Sequence, residues 1–139
     1  MPKIIISGCN GRMGQVVSRM CRERDDMAVV AGFDINTARL QDYPVYSDPM
    51  EFPGQADVLI DFSNPSSLDR LLFYCTKKKV PAVICTTGHS SEQLQQIREA
   101  AKVIPIFKSA NMSLGVNLMA NLLKKAAAVL GDNFDVEIV

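Results

Sequence analysis

The 139 residues suffice for one domain with its own core, and 47% hydrophobic with 22% charged residues is ordinary for a soluble α/β protein. The 15 basic and 15 acidic side chains cancel, so the chain lacks the field that nucleic acid or an anionic membrane would require. Four cysteines without C-x-x-C spacing, beside a single histidine, exclude the usual metal-ligand patterns and read as reduced, buried thiols.

The first strand is expected over residues 3–7. It runs into Gly8-Cys9-Asn10-Gly11-Arg12-Met13-Gly14, three glycines each separated by two residues. A helix is expected over residues 11–24, with Val16, Val17, Met20 and Cys21 at helical spacing on its apolar face. Residues 27–33 form a second strand, which ends at Asp34. Residues 35–55 carry Pro44, Pro49, Pro53 and Gly54 without a clear period; they read as loop, with room for a short strand at Val45-Tyr46.

Residues 58–60 make a third strand that runs into Asp61-Phe62-Ser63-Asn64-Pro65. Pro65 suits the first turn of a helix, because its missing N–H has no intrahelical partner to lose. Leu68, Leu71, Leu72 and Cys75 give that helix its buried face, and Lys77-Lys78-Lys79 sit favourably at its negative end. A fourth strand spans residues 82–85 and meets Thr86-Thr87-Gly88. Ser90 with Gln93 fits a capping box, opening a helix to residue 102 with Leu94, Ile97 and Ala101 inward. A fifth strand covers residues 104–107, and Ser109-Ala110-Asn111-Met112-Ser113 follows it. A longer helix over residues 116–130 should stop at Gly131, and Asp135 to Val139 look like the start of another strand.

Strands alternating with helices imply an α/β fold with a parallel, doubly wound sheet. Its carboxyl edge then gathers the Gly, Asp, Thr and Asn loop tips, where such folds bind ligands. Strand, glycine turn and helix N-terminus are the elements a dinucleotide pyrophosphate needs. Asp34, 26 residues after Gly8, suits the adenosine ribose hydroxyls, with a plain turn as the alternative. Arg12 suits a phosphate or a solvated helix start. Asp61 reads as a cap more readily than as a brace for the nucleotide. His89 reads as solvent-facing, and neither it nor Lys108 reads as catalytic. No apolar run approaches the ~20 residues that span a bilayer; no leader is expected before the first strand, and the expected location is the cytoplasm. No metal site is expected.

Together these motifs resemble the dihydrodipicolinate reductase family (4-hydroxy-tetrahydrodipicolinate reductases) of bacterial lysine biosynthesis. The resemblance rests on Gly8 to Gly14, Asp61-Phe62-Ser63-Asn64-Pro65, Cys85-Thr86-Thr87-Gly88 and Ser109-Ala110-Asn111-Met112-Ser113-Leu114-Gly115-Val116-Asn117, in the family's order and spacing. It implies a Rossmann-type cofactor domain over residues 1–112 that holds NADH or NADPH. Gly8, Cys9, Asn10, Gly11, Arg12 and Met13 would grip the pyrophosphate and Asp34 the ribose. Cys85, Thr86, Thr87, Ser109, Ala110, Asn111 and Met112 would lie along the nicotinamide half. Cys85 stands where glycine is common in the family, and Met112 where phenylalanine is.

Residues 113–139 would then be the first helix and strand of a second, α+β domain that binds the dicarboxylate substrate and builds a homotetramer. The family's His-His and lysine segment lies past Val139, so no catalytic residue is expected in this chain and turnover by it alone is not expected. A stand-alone redox-sensing module, or another dehydrogenase with a similar first domain, are the alternatives.

Overall fold

The computed structural model describes residues 1–109, 113–131, 134, 135 and 137. In chain order these give β1 (Lys3–Ser7), α1 (Arg12–Arg22), β2 (Ala28–Phe33), β3 (Val45–Tyr46), β4 (Val58–Asp61) and α2 (Leu68–Lys78). Then come β5 (Ala82–Ile84), α3 (Ser91–Ala100), β6 (Ile106–Lys108) and α4 (Leu114–Leu130). The strands form one sheet in the order β3-β2-β1-β4-β5-β6, and every neighbouring pair is parallel. This is the doubly wound sheet the alternation implied. The strand order reverses between β1 and β4, so a crevice opens at their carboxyl ends.

Side chains alternate across β1, and the core divides accordingly. Ile5 faces Leu59, Ile84 and the buried face of α2, where Leu68, Leu71, Leu72, Tyr74 and Cys75 pack as expected, with Ile97 and Ala100 of α3. Ile4 and Ile6 face Cys9, Cys21 and Tyr43 beneath α1. All four cysteines are free and buried. Lys79 closes α2 in the left-handed region at φ 58°, behind Lys77 and Lys78 in the last turn. The capping box is present: Gln93 N–H donates to Ser90 Oγ at 3.2 Å, and Ser90 N–H donates to Gln93 Oε1 at 3.0 Å.

Two helix faces differ from the sequence reading. Val16 and Met20 of α1 are 43% and 60% exposed, while Gly14, Ser18 and Cys21 are buried and Val17 packs partly against the core. Helix α1 lies so close to the turn before it that small side chains, not the large apolar ones, fill the contact. Ser18 Oγ donates to the Gly14 carbonyl at 2.7 Å and shares a 2.6 Å hydrogen bond with Tyr43 Oη. In α3 the inward residue after Ile97 is Ala100, and Ala101 is exposed as the C-cap. The last strand starts later than expected, because Ile104 is buried in the turn that precedes it.

Helix α4 begins at Leu114, with Ser113 as N-cap, and ends at Gly131 with φ 60°. None of its residues is buried. Most of the strand expected over 135–139 lies outside the described residues. Among the described residues no helix is long and apolar enough to cross a membrane.

Burial gives the fold an alkaline limit. It pushes the Cys9 and Cys75 thiols from 9.0 up to about 12, and the Tyr74 phenol from 10.0 up to about 12. The folded state therefore favours their neutral forms. That stabilisation is complete below the unfolded values and is lost as pH rises from about 9 toward 12. The urea midpoint should be level near neutral pH and fall steadily above pH ~9; a midpoint still level at pH ~11 would contradict this.

Candidate nucleotide site

The glycine turn is held by contacts that only glycine permits at two positions. Gly8 takes φ 72°, and a Cβ there would lie 2.7 Å from the Phe62 carbonyl oxygen in the loop after β4. A Cβ on Gly14 would lie 2.1 Å from the carbonyl oxygen of Gly8. The turn is fastened by Gly8 N–H donating to Phe33 O at 2.8 Å and Gly11 N–H donating to Gly8 O at 3.0 Å. Gly11 is the N-cap of α1 and supplies no side-chain cap, and no acid sits in the first turn. The positive end of α1 is therefore neither capped nor neutralised by its own side chains. Arg12 and Met13 are exposed at that end.

Asp34 leaves β2 beside this turn. Its Oδ2 accepts from Asn10 N–H at 3.0 Å and its Oδ1 from Asn36 N–H at 3.1 Å. Asn10 then fastens the following loop, donating through Nδ2 to Asn36 O at 2.6 Å and Ala38 O at 2.8 Å. The remaining oxygen, Asn10 Oδ1, is buried without a partner. Arg39, farther along the loop after Asp34, donates to Asp42 O at 2.8 Å.

A cavity of about 420 Å³ opens between the carboxyl ends of β2, β1 and β4. Gly8, Asp34, Ile35, Ser63 and Arg70 are among its walls. Of these, Ile35, Ser63 and Arg70 are absent from the sequence-derived set. Only the strand order, which sets α2 opposite the loop after β2, brings them to the cavity. Asp61, 2% exposed, accepts from Ser63 N–H at 3.0 Å and from Ser63 Oγ. It pins the turn after β4 rather than capping the helix. Asn64 caps the short 3-10 turn Pro65–Ser67 that precedes α2, its Oδ1 accepting from Ser66 N–H at 3.0 Å.

The other half of the edge lies at β5 and β6. Cys85 N–H donates to Asp61 O at 2.9 Å and Ser109 N–H to Ile84 O at 3.1 Å, so the loop after β5 leaves the sheet beside the end of β4 and the loop after β6 beside the end of β5. Thr86 is buried with an unpartnered Oγ1, and Thr87 is exposed. The side chain of Cys9 points into the core beneath Gly32, leaving only its backbone for a ligand. Burial raises the Cys85 thiol above its ordinary value, and Asp61 adds to this. Ala110, Asn111 and Met112 lie outside the described residues.

His89 departs from the expected solvent-facing residue. It is half-buried, and both ring nitrogens are buried without partners. Burial first, and then the Lys108 charge, holds its pKa below the ordinary histidine value. Among the described residues no three of His, Cys, Asp or Glu gather as metal ligands.

An uncapped helix end, a glycine turn with no room for a Cβ and orphaned buried polar atoms at Asn10 and Thr86 fit an extended anionic ligand along this edge. So does the cavity beside Asp34.

Comparison with known proteins agrees with that shape. Residues 2–112 match the family described as dihydrodipicolinate reductase, N-terminus. A 4-hydroxy-tetrahydrodipicolinate reductase of Caldanaerobacter subterraneus is 52% identical over 139 residues, 100% of this chain and 55% of that protein. One from Clostridium tetani is 45% identical over 100% of this chain and 54% of its own length. The chain thus spans about half the length of the curated relatives it matches. The dipicolinate-bound dihydrodipicolinate reductase from Paenisporosarcina sp. TG-14 superposes with a TM-score of 0.79 at 27% identity, over 92% of this chain and 54% of that one.

Proposed function

The chain belongs to the dihydrodipicolinate reductase family through that N-terminal region, and from this membership we propose that it is the NAD(P)H-holding half of such a reductase. The whole enzyme would reduce 4-hydroxy-tetrahydrodipicolinate to tetrahydrodipicolinate on the route to diaminopimelate and lysine. The observation that carries the reading is the glycine turn: it sits at the strand-order reversal and presents an uncapped helix end beside Asp34.

In this reading the nicotinamide, when bound, supplies the hydride. The protein binds and orients. Backbone N–H groups of Gly8 to Met13 and the start of α1 hold the pyrophosphate, with Arg12 as a nearby cation. Asp34 accepts from the adenosine ribose hydroxyls. Thr86 and Thr87 offer hydroxyls to the nicotinamide side, with Cys85 and Ser109 on the same edge; the family resemblance assigns Ala110, Asn111 and Met112 to that half of the cofactor as well.

Residues 113–139 begin a second domain that binds the dicarboxylate and manages the proton. The parent assembles as a homotetramer and works in the cytoplasm. Helix α4 supports this division, because a 17-residue helix carrying Leu118, Leu122 and Leu123 with none buried has an apolar surface left to cover.

Titration with NADH and NADPH, paired with an assay of substrate reduction, tests the proposal. Saturable binding without turnover is the expected result. Robust turnover by these 139 residues would refute the division of labour, and failure to bind either cofactor would refute the nucleotide reading.

A further inference from the structure

We infer that Asn10 is a positioning residue: its side chain latches the loop after β2 and so sets Asp34 for a ribose without a 2′-phosphate. This role rests on the nucleotide reading above, which uses only the backbone N–H of Asn10. Both hydrogens of the Asn10 carboxamide go to the loop, Nδ2 donating to Asn36 O at 2.6 Å and to Ala38 O at 2.8 Å. Two carbonyl oxygens at those distances need the nitrogen beside them, so the amide cannot be turned round. Its oxygen is then left buried without a partner. A buried acceptor without a donor costs stability, so it is the nitrogen's two bonds that account for an asparagine here.

The loop has little else to fix it. Residues 35–40 are all exposed and belong to no helix or strand, so no apolar burial anchors them. Asn36 N–H donates to Asp34 Oδ1 at 3.1 Å, and Ala38 N–H to Asn36 Oδ1 at 3.0 Å. Among the described residues, Asn10 makes the only hydrogen bonds that reach residues 35–38 from beyond Asp34 and the loop itself. With the latch closed, Asp34 accepts from a backbone N–H at each oxygen, from Asn10 at 3.0 Å and from Asn36 at 3.1 Å. A carboxylate fixed in this way keeps lone pairs for two ribose hydroxyls. A 2′-phosphate in place of one hydroxyl would set a second anion against it, and with both oxygens tied Asp34 could not swing aside. The latch therefore favours NADH over NADPH.

Equilibrium titrations of the 139-residue chain with NADH and NADPH, alongside hydrogen exchange at the backbone amides of Asn36 and Ala38, test this role. In Asn10→Ala the NADH affinity should fall about tenfold, the scale of losing two neutral hydrogen bonds that order the loop before binding. NADPH affinity should fall by no more than about threefold, so the preference shifts toward NADPH. The Asn36 and Ala38 amides should exchange faster. The urea midpoint should stay near that of the unaltered chain, because no side chain of the loop is buried. Asn10→Gly removes the same amide and should reproduce all of these changes.

No loss, or equal losses for NADH and NADPH in both variants, would overturn the choice of cofactor by Asn10. Unchanged exchange at Asn36 and Ala38 would overturn the latch; either result leaves the nucleotide reading standing. A urea midpoint that falls with the affinity would make Asn10 a residue of the fold and overturn its positioning role. Should the unaltered chain bind neither cofactor, the nucleotide reading fails first and the role of Asn10 fails with it.

Discussion

Gly14→Ala is expected to destabilise the chain by about 3 kcal/mol, the scale of overpacking at a site that cannot relax. In an open helix the same change would stabilise by about 1 kcal/mol, because alanine loses less backbone entropy than glycine. The contact geometry decides which effect wins. The new Cβ would lie 2.1 Å from Gly8 O, 2.7 Å from Cys9 Cα and 2.8 Å from Gly8 C. All three are backbone atoms, and none can rotate aside. Helix α1 must therefore lift from the turn, stretching the 3.0 Å bond from Gln15 N–H to Gly11 O and the contact of Ser18 with Tyr43. The measurements are the urea midpoint by circular dichroism and NADH affinity by titration, and both should fall. A midpoint equal to or above that of the unaltered chain would show that helix propensity prevails and that the spacing is not set by the glycine.

Asp34→Ala should cost one to two powers of ten in NADH affinity. Charge-assisted hydrogen bonds to ribose hydroxyls are worth ~1.5–3 kcal/mol. The same carboxylate also orders its own site, since it accepts from the backbone N–H groups of Asn10 and Asn36. A loss in the alanine variant therefore mixes a missing ligand contact with a loosened loop. Asp34→Asn gives up the charge and keeps one of the two acceptor oxygens, so one of the two backbone bonds can persist and its affinity should fall between the unaltered and alanine chains. NADH binding unchanged by Asp34→Ala would return the residue to an ordinary turn role.

His89 illustrates where reading by residue type stops. A single histidine after a glycine in a loop suggests a solvated ring, and burial of both ring nitrogens comes from packing that no local pattern encodes. Helix α1 is a second instance. Its apolar residues occur at helical spacing, yet the face it buries is Gly14, Ser18 and Cys21. Hydrophobic periodicity ranks faces by apolarity. Here closeness of approach ranks them by size, because the turn at Gly8 sets the distance between helix and sheet.

The sequence by itself determined the α/β alternation, the strand positions to within a few residues, the capping box at Ser90 and the helix stop at Gly131. It also determined the glycine turn with Asp34 and the family resemblance. Each follows from short-range chemistry: period-two and 3.6-residue patterns, caps and positive-φ glycines act over a few residues and leave a local signature. Tertiary structure alone decided which distant loops share an edge. The order β3-β2-β1-β4-β5-β6 brings Arg70 and Ile35 to one cavity, ties Asn10 to the loop after Asp34 and turns Asp61 into a support for Ser63. Those neighbours are chosen by strand pairing across 24 or more residues in the case of Asn10 and Asp34. Such pairing depends on the total fit of the sheet and its helices, and no single segment carries that information.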